Sequence, residues 1–370
     1  MQKHHPKNVR IKHQYLRHLR DAKRRASKSV DQASAAISEF EESTNYKDFA
    51  LYRIEQATRY KRLLSEQVNS LTGKPLAIAT VYSRLMAVKA FFQWLSERAG
   101  YRKINYSDAD YFNLSANDGR IAAAKRAKRA PSLEQVRAVL ASMPHATDIE
   151  RRDRAIVAFA LLSGARDDAI ASLCLGHIDL NARTVFQDAR KVRTKRRKTI
   201  TSWFFPVGDD VEAIVIDWVQ HLRERLLFGP DDPLFPKTDI ARIASSEFQA
   251  VGLERAHWTT AGPIRAIFRK AFERAGLPYF HPHTFRTTLG RLGQKVCRTP
   301  EEYKAWSQNL GHEEVMTTFS NYGDVADHRQ AEIFGELRTR GSGAEGQATP
   351  DSKALQDAIA ALLKAIPVAA

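Results

Sequence analysis

Along this chain apolar residues recur mostly every three to four positions. The clearest case is Thr80 to Arg98, where Val81, Leu85, Val88, Phe91, Phe92 and Leu95 fall on one face and predict an amphipathic helix. Ala50 to Val68 carries a weaker helical pattern, with Arg53, Arg59, Lys61 and Arg62 on its polar side. No alternating pattern occurs before residue 180, so the first domain, residues 31–115, is expected to be all helical. Ser132 followed by Gln135 reads as a capping box opening another helix. Helices are further expected over Asp148–Leu162, Asp167–Leu175, Val211–Leu227, Pro263–Ala275 and Thr284–Val296. Thr184–Val192 and Thr199–Val207 are rich in β-branched and aromatic residues and predict two strands of a hairpin. The fold class expected is therefore mainly α, with a small antiparallel β-hairpin in a second, mixed domain spanning 131–340. Gly341, Gly343 and Gly346 lie in a polar linker, and Leu355, Ile359, Leu362 and Ile366 mark a short amphipathic helix after it.

Length and charge sharpen this picture. The chain has 370 residues, which fits two or three domains, and 43% of them are hydrophobic, enough to fill real cores. The longest apolar run, Ala155–Leu162, is far short of the ~20 residues that span a bilayer. The first thirty residues lack the apolar core of a secretory signal, and Cys174 and Cys297 cannot make a disulfide framework. A soluble intracellular protein is the expectation. The 58 Lys and Arg exceed the 42 Asp and Glu by 16, and an excess of that size points to nucleic acid.

The excess is clustered. Residues 1–30 hold ten Lys or Arg against Asp21 alone and read as a basic arm with some helix. Arg120, Lys125, Arg126, Lys128 and Arg129 make a basic linker over 116–130, and Arg190–Lys198 puts seven cations in nine positions at the predicted hairpin tip. Patches spread in this way suit a protein that encircles a duplex, because each phosphate neutralised releases counterions. The candidate DNA contacts are Arg84, Lys89, Arg120, Lys125, Arg126, Lys128, Arg129, Arg190, Lys191, Arg193 and Lys198. A solvated basic face is the plainer reading of any one cluster.

Four segments of the second domain carry chemistry. Ser163-Gly164-Ala165-Arg166 puts an Arg after a Gly turn. The hairpin tip carries Lys191, Lys195 and Lys198. In His281-Pro282-His283-Thr284-Phe285-Arg286, His283 and Arg286 stand one helical turn apart. Leu310-Gly311-His312 is followed by Tyr322. Such a set, without clustered carboxylates, suits phosphodiester transfer through a covalent intermediate better than a two-metal nuclease site.

These parts, in this order, resemble the tyrosine recombinases, the phage integrase and Xer family. The first domain adds to the likeness through Thr80, Arg84, Val88, Lys89, Phe91, Phe92, Trp94 and Leu95, which match the family's core-binding helix. The resemblance implies a two-lobed DNA clamp that needs no metal and no cofactor. It implies Tyr322 as nucleophile, Arg166, Arg286 and His312 on the phosphate oxygens, His283 as proton acceptor or as a residue that tunes Arg286, and a hairpin lysine as general acid. Lys195 is the first choice for that acid, with Lys191 and Lys198 as alternatives. It further implies integration or excision of a mobile element by a homotetramer on two DNA sites, through a Holliday junction. An accessory directionality factor, a cytoplasmic bacterial or phage setting, and docking of the last helix on a neighbouring protomer follow from the same likeness. A tyrosine-type transposase, a topoisomerase-like enzyme and a catalytically inactive architectural DNA-binding protein are the alternatives. Two departures stand out. Ala169 occupies a position where the family carries Glu, for which Asp167 or Asp168 could partly substitute, and Tyr322 lies ten residues after His312 where nine is usual. Tyr279 and Tyr303 fall outside the expected order.

Overall fold

The computed structural model describes residues 4–70, 73–123, 129–242 and 248–312. Contacts divide the chain into two compact units, residues 1–126 and 127–370. The described residues are mainly helical, with two small antiparallel sheets, as the apolar periodicity predicts. No described helix is long and apolar enough to cross a membrane.

The first unit holds α1 (Pro6–Arg17), α2 (Ser27–Ser43), α3 (Ile54–Glu66), α4 (Ile78–Ser96) and α5 (Ala116–Ala123), with a 3-10 helix over Tyr106–Phe112 between the last two. All six apolar positions picked out on α4 are buried. They meet Phe40, Phe49, Tyr52, Tyr60 and Phe112 in an aromatic core where Phe40 stands edge-on to Phe92 at 5.2 Å and Phe49 edge-on to Phe91 at 5.2 Å.

Residues 1–30 differ from the expected arm. Ile11 and Tyr15 are buried in the same core, and the Tyr15 ring packs against Phe91 at 5.2 Å and Trp94 at 5.1 Å. Asn8, fully buried, donates to Glu41 Oε1 (3.0 Å) and the Lys47 carbonyl (2.8 Å) and accepts from the Phe49 N–H (3.0 Å). Lys12 reaches the other Glu41 oxygen at 2.5 Å. Cationic side chains dominate this stretch, yet one helical stripe within it is apolar, and burial of that stripe fixes α1 as part of the unit. Part of the expected linker is likewise helical, as α5.

In the second unit, α6 (Leu133–Ser142) opens on the expected capping box: Gln135 N–H donates to Ser132 Oγ at 3.2 Å and Ser132 N–H to Gln135 Oε1 at 2.9 Å. α7 (Asp148–Ser163) is buried on all sides from Ala155 onward and forms the axis of the core. The helix expected over Asp167–Leu175 is a single turn, α8 (Asp167–Ile170). The chain leaves it because Leu173 and Cys174 pair with Leu234 and Pro233.

The expected hairpin is a three-stranded antiparallel sheet of β1 (Ile178–Asp179), β2 (Thr184–Gln187) and β3 (Ile200–Trp203). Its strands are shorter than predicted. Asp188 ends β2 by accepting the Arg190 N–H on its carboxylate (2.9 Å) and the Val192 N–H on its carbonyl (2.7 Å). The basic run is thus a folded loop that connects the β2–β3 hairpin, as expected, and is anchored by buried Val192. α9 (Asp209–Glu224) follows. The antiparallel pair β4 (Lys237–Arg242) and β5 (Phe248–Glu254) has no counterpart in the sequence reading. α10 (Gly262–Arg274), α11 (Thr284–Val296) and α12 (Pro300–Asn309) complete the described core, α11 with the predicted bounds.

Candidate active site

Helix ends position the site. α7 stops at Gly164, whose φ of +61° is the left-handed turn that glycine tolerates best. A Cβ there would lie 3.1–3.2 Å from Leu310, Phe205 and Leu289, so the turn is packed as well as bent. Two residues on, Arg166 is the N-cap of α8. α12 ends in the same manner. Gly311 (φ +69°) donates to the Gln308 carbonyl at 2.7 Å and His312 to the Ser307 carbonyl at 3.2 Å, a Schellman turn. Leu-Gly-His is therefore a helix stop: Leu310 is buried, Gly311 supplies the bend and His312 leaves the helix at a fixed angle.

Arg286, on the first turn of α11, is 4% exposed. It donates through Nη1 to the Gly164 carbonyl at 2.6 Å and through Nη2 to the Leu310 carbonyl and to His312 Nε2, the latter at 3.1 Å. One guanidinium so joins the α7 stop to the α12 stop. Guanidinium nitrogens only donate, so His312 Nε2 accepts and the ring proton sits on Nδ1. Burial, followed by the charges of Arg286, Arg166, His283 and Lys195, pulls the His312 pKa down to about 4. These four cationic or titratable side chains, from three separate segments, lie within electrostatic reach of one imidazole.

The lysines of the basic loop differ in their surroundings. Lys195 acts on His312, whereas Lys191 stands 3.3 Å from Asp231 and acts on Cys174 and His177. Lys198 is half-buried at the foot of β3. A cleft of about 470 Å³ lies between Arg166 and the loop, and both Lys191 and Lys195 line it, with Asp168, Arg193 and Arg197 among others. Arg193 braces the loop through its N–H to Ser172 Oγ (2.9 Å) and its side chain to the Trp258 carbonyl (2.8 Å). Arg190 forks onto Asp188, and that hydrogen bonding holds the Asp188 carboxyl down at about 2.

Several sequence-picked residues have structural partners of their own. Arg84 donates to Glu39 (2.7 Å) and Gln67 (2.9 Å), and Lys89 pairs with Asp110 (2.7 Å) and Asn113 (2.9 Å). Ala169 is buried, so its position contributes no carboxylate. Asp167 is taken by Arg265 at 2.7 Å, and Asp168 lies 3.7 Å from Arg193. His283 is exposed at the N-cap of α11, one residue outside the helix that was expected to carry it. Arg120 and Arg129 are exposed. Lys125, Arg126, Lys128, Tyr322 and the expected C-terminal helix lie outside the described residues. Among the described residues no group of three or more His, Cys, Asp or Glu could hold a metal ion.

Acidification tests the His312 environment. Its proton affinity is lower in the folded chain than the ordinary 6.5, so the unfolded chain takes up the proton first as pH falls. The stability held by neutral His312 is complete above about 6.5 and is lost as pH falls towards 4. Burial shifts His177, His257 and His281 in the same direction. The thermal midpoint of unfolding is therefore expected to drop across this window, and His312→Gln, which still accepts from Arg286, to flatten the drop. An unchanged slope would contradict the buried, neutral imidazole.

The site and fold define a class. A profile of the phage integrase family matches residues 132–329, and the chain belongs to that family. It is similar to tyrosine recombinase XerC 2 of Ralstonia nicotianae (strain ATCC BAA-1114 / GMI1000), with 24% identity over 251 residues, 66% of this chain and 61% of that protein. The aligned stretch thus spans less than two thirds of that relative. Among solved structures, the fold resembles the Tn1549 transposon integrase in complex with a circular intermediate DNA. That match has a TM-score of 0.55 at 13% identity and covers 88% of this chain and 98% of that one. The fold also resembles a lambda integrase dimer bound to a COC′ core site, with a TM-score of 0.52 at 12% identity over 86% and 96% of the two chains.

The carbonyl clamp on Arg286 leaves no trace in the sequence. The glycines at 164 and 311 were the only hint, as stops that turn the chain towards the cluster.

Proposed function

We propose that this protein is a site-specific DNA recombinase that cleaves and rejoins strands through a 3′-phosphotyrosyl intermediate, and so integrates or excises a mobile element. The observation that supports this best is the convergence of Arg166, Lys195, His283 and Arg286 on His312. In the reaction the Tyr322 hydroxyl oxygen bonds to phosphorus and the bond from phosphorus to the 5′-oxygen breaks. A phenol of ordinary pKa near 10 is protonated at neutral pH, so its proton must leave, and His283 is the acceptor. Arg166 and Arg286 bind the two non-bridging oxygens, where charge grows in the transition state, and His312 adds its Nδ1–H. Lys195 protonates the departing 5′-oxygen. The phosphotyrosyl bond keeps the energy of the broken linkage, so a 5′-hydroxyl from a second strand reverses the step without further input.

Duplex DNA is the partner on this reading. Exposed Arg120, Arg129, Arg190 and Arg197 track its backbone, while Arg84 and Lys89 chiefly hold the first unit together. Family membership supports a homotetramer on two sites in the cytoplasm, with an accessory factor setting direction. The deciding experiment uses a pool of short nicked duplexes of randomised sequence. Cleavage beside the nick releases a short fragment and strands the enzyme on the DNA. The expected result is a denaturation-resistant adduct whose linked peptide maps to Tyr322. DNA binding without an adduct would leave an architectural role.

A further inference from the structure

The Asn309 side chain makes an uncommon contact. It is the last helical residue of α12, and its amide pairs with the backbone of Trp203 on β3: Oδ1 accepts the Trp203 N–H at 2.7 Å and Nδ2 donates to the Trp203 carbonyl at 2.9 Å. β3 is an edge strand of its sheet, in the order β1-β2-β3. The carboxamide thus stands where the backbone of a further strand would. Ser202 Oγ adds a bond to the Asn309 carbonyl at 3.2 Å. Two residues on, Gly311 lies so close to Ile200 that a Cβ would come within 2.8 Å of its side chain.

These contacts join two pieces of the site. α12 runs directly into Leu310, which holds Arg286, and into His312. β3 is the strand into which the Lys195 loop runs. On the side of the phosphate grip, Arg286 is fixed independently by Gly164 and Leu310. Lys195 is held less directly: it lies two residues beyond the Arg193 brace, exposed on a one-turn helix whose other two residues, Arg196 and Arg197, have positive φ.

We propose that Asn309 is a positioning residue that registers the Lys195 loop against the phosphate-binding cluster by pairing with the edge of β3. This rests on the proposed cleavage reaction. It adds a residue outside the recombinase motifs, which acts through the leaving-group step alone. Without Asn309 the grip of Arg286 and His312 stays in place, while β3 and its loop lose two of the bonds that set their distance from it. Misplacement of a reacting group by about 1 Å costs on the order of 100-fold in rate.

The test uses the full-length protein and the duplex recovered from the randomised pool, made with oxygen or sulfur at the 5′-bridging position. Sulfur leaves without a proton. Asn309→Ala is expected to form adduct on the order of 100-fold more slowly on the oxygen duplex, to approach the wild-type rate on the sulfur duplex, and to bind DNA unchanged. Lys195→Ala should show the same signature. Asn309→Gln keeps a carboxamide, set one methylene further out, and should fall between, which covers the case in which the alanine variant folds poorly. Equal losses on both duplexes, or no loss, would overturn the positioning role. A wild-type protein that forms no adduct would overturn the cleavage reaction itself.

Discussion

Arg286→Ala is expected to damage stability and chemistry together. The guanidinium is 4% exposed and supplies the hydrogen bonds to the carbonyls of Gly164 and Leu310. Its removal leaves two buried acceptors without those donors, at about 1–3 kcal/mol each. The turns that present Arg166 and His312 then lose their common strut. Loss of one donor to a developing phosphorane charge costs on the order of 10²–10³ in rate, and displaced neighbours add to it. Denaturant titration should therefore show a lower midpoint, and adduct formation should fall by at least that factor. Arg286→Lys separates the two effects. An ammonium keeps the charge but cannot bridge two carbonyls and an imidazole in one plane, so the lysine variant should regain part of the stability and little of the rate. Cleavage within a few-fold of wild type in the alanine variant would remove Arg286 from the phosphate grip.

Tyr322→Phe carries the largest expected kinetic effect. The substitution deletes one oxygen and keeps the ring, so DNA affinity should be unchanged in a filter or gel assay. Removal of a covalent nucleophile lowers turnover on the order of 10⁶-fold in well-studied enzymes, which here means no detectable adduct. The other tyrosines of the second unit are poor substitutes. Tyr303 is buried and its hydroxyl is pushed up in pKa by that burial, while the Tyr279 ring lies under the Arg269 guanidinium at 4.7 Å and its hydroxyl is likewise raised by burial. An adduct that persists in Tyr322→Phe would move the nucleophile elsewhere.

Legibility in the sequence followed the physics of each element. α4 and α11 were readable because their apolar residues repeat over several turns and their ends carry no competing signal. The order of Arg166, the basic loop, His283, Arg286, His312 and Tyr322 was readable because residue types at motif spacing survive without coordinates. The strand ends beside the basic loop were less so: β-branched and aromatic residues suggested a strand over Thr184–Val192, but the Asp188 carboxylate captures the local N–H of Arg190 and ends β2 at Gln187. β4 and β5 lacked an alternating pattern, and their register breaks between Asp239 and Ile240. Asn309 was invisible for a simpler reason. Its partner is backbone more than a hundred residues away, and backbone leaves no trace in composition.

One consequence concerns where this protein can be divided. Ten cations in thirty residues look like a detachable tag, and an engineer would be tempted to trim the chain at residue 31 or to graft that segment onto another protein. Because Ile11 is buried in the core, Tyr15 closes over Phe91 and Trp94, and buried Asn8 makes three hydrogen bonds, the cut would run through the middle of a folding unit. The truncated protein would lose solubility and protease resistance before it lost any charge-dependent property, and the graft would arrive without the surface that gives it shape.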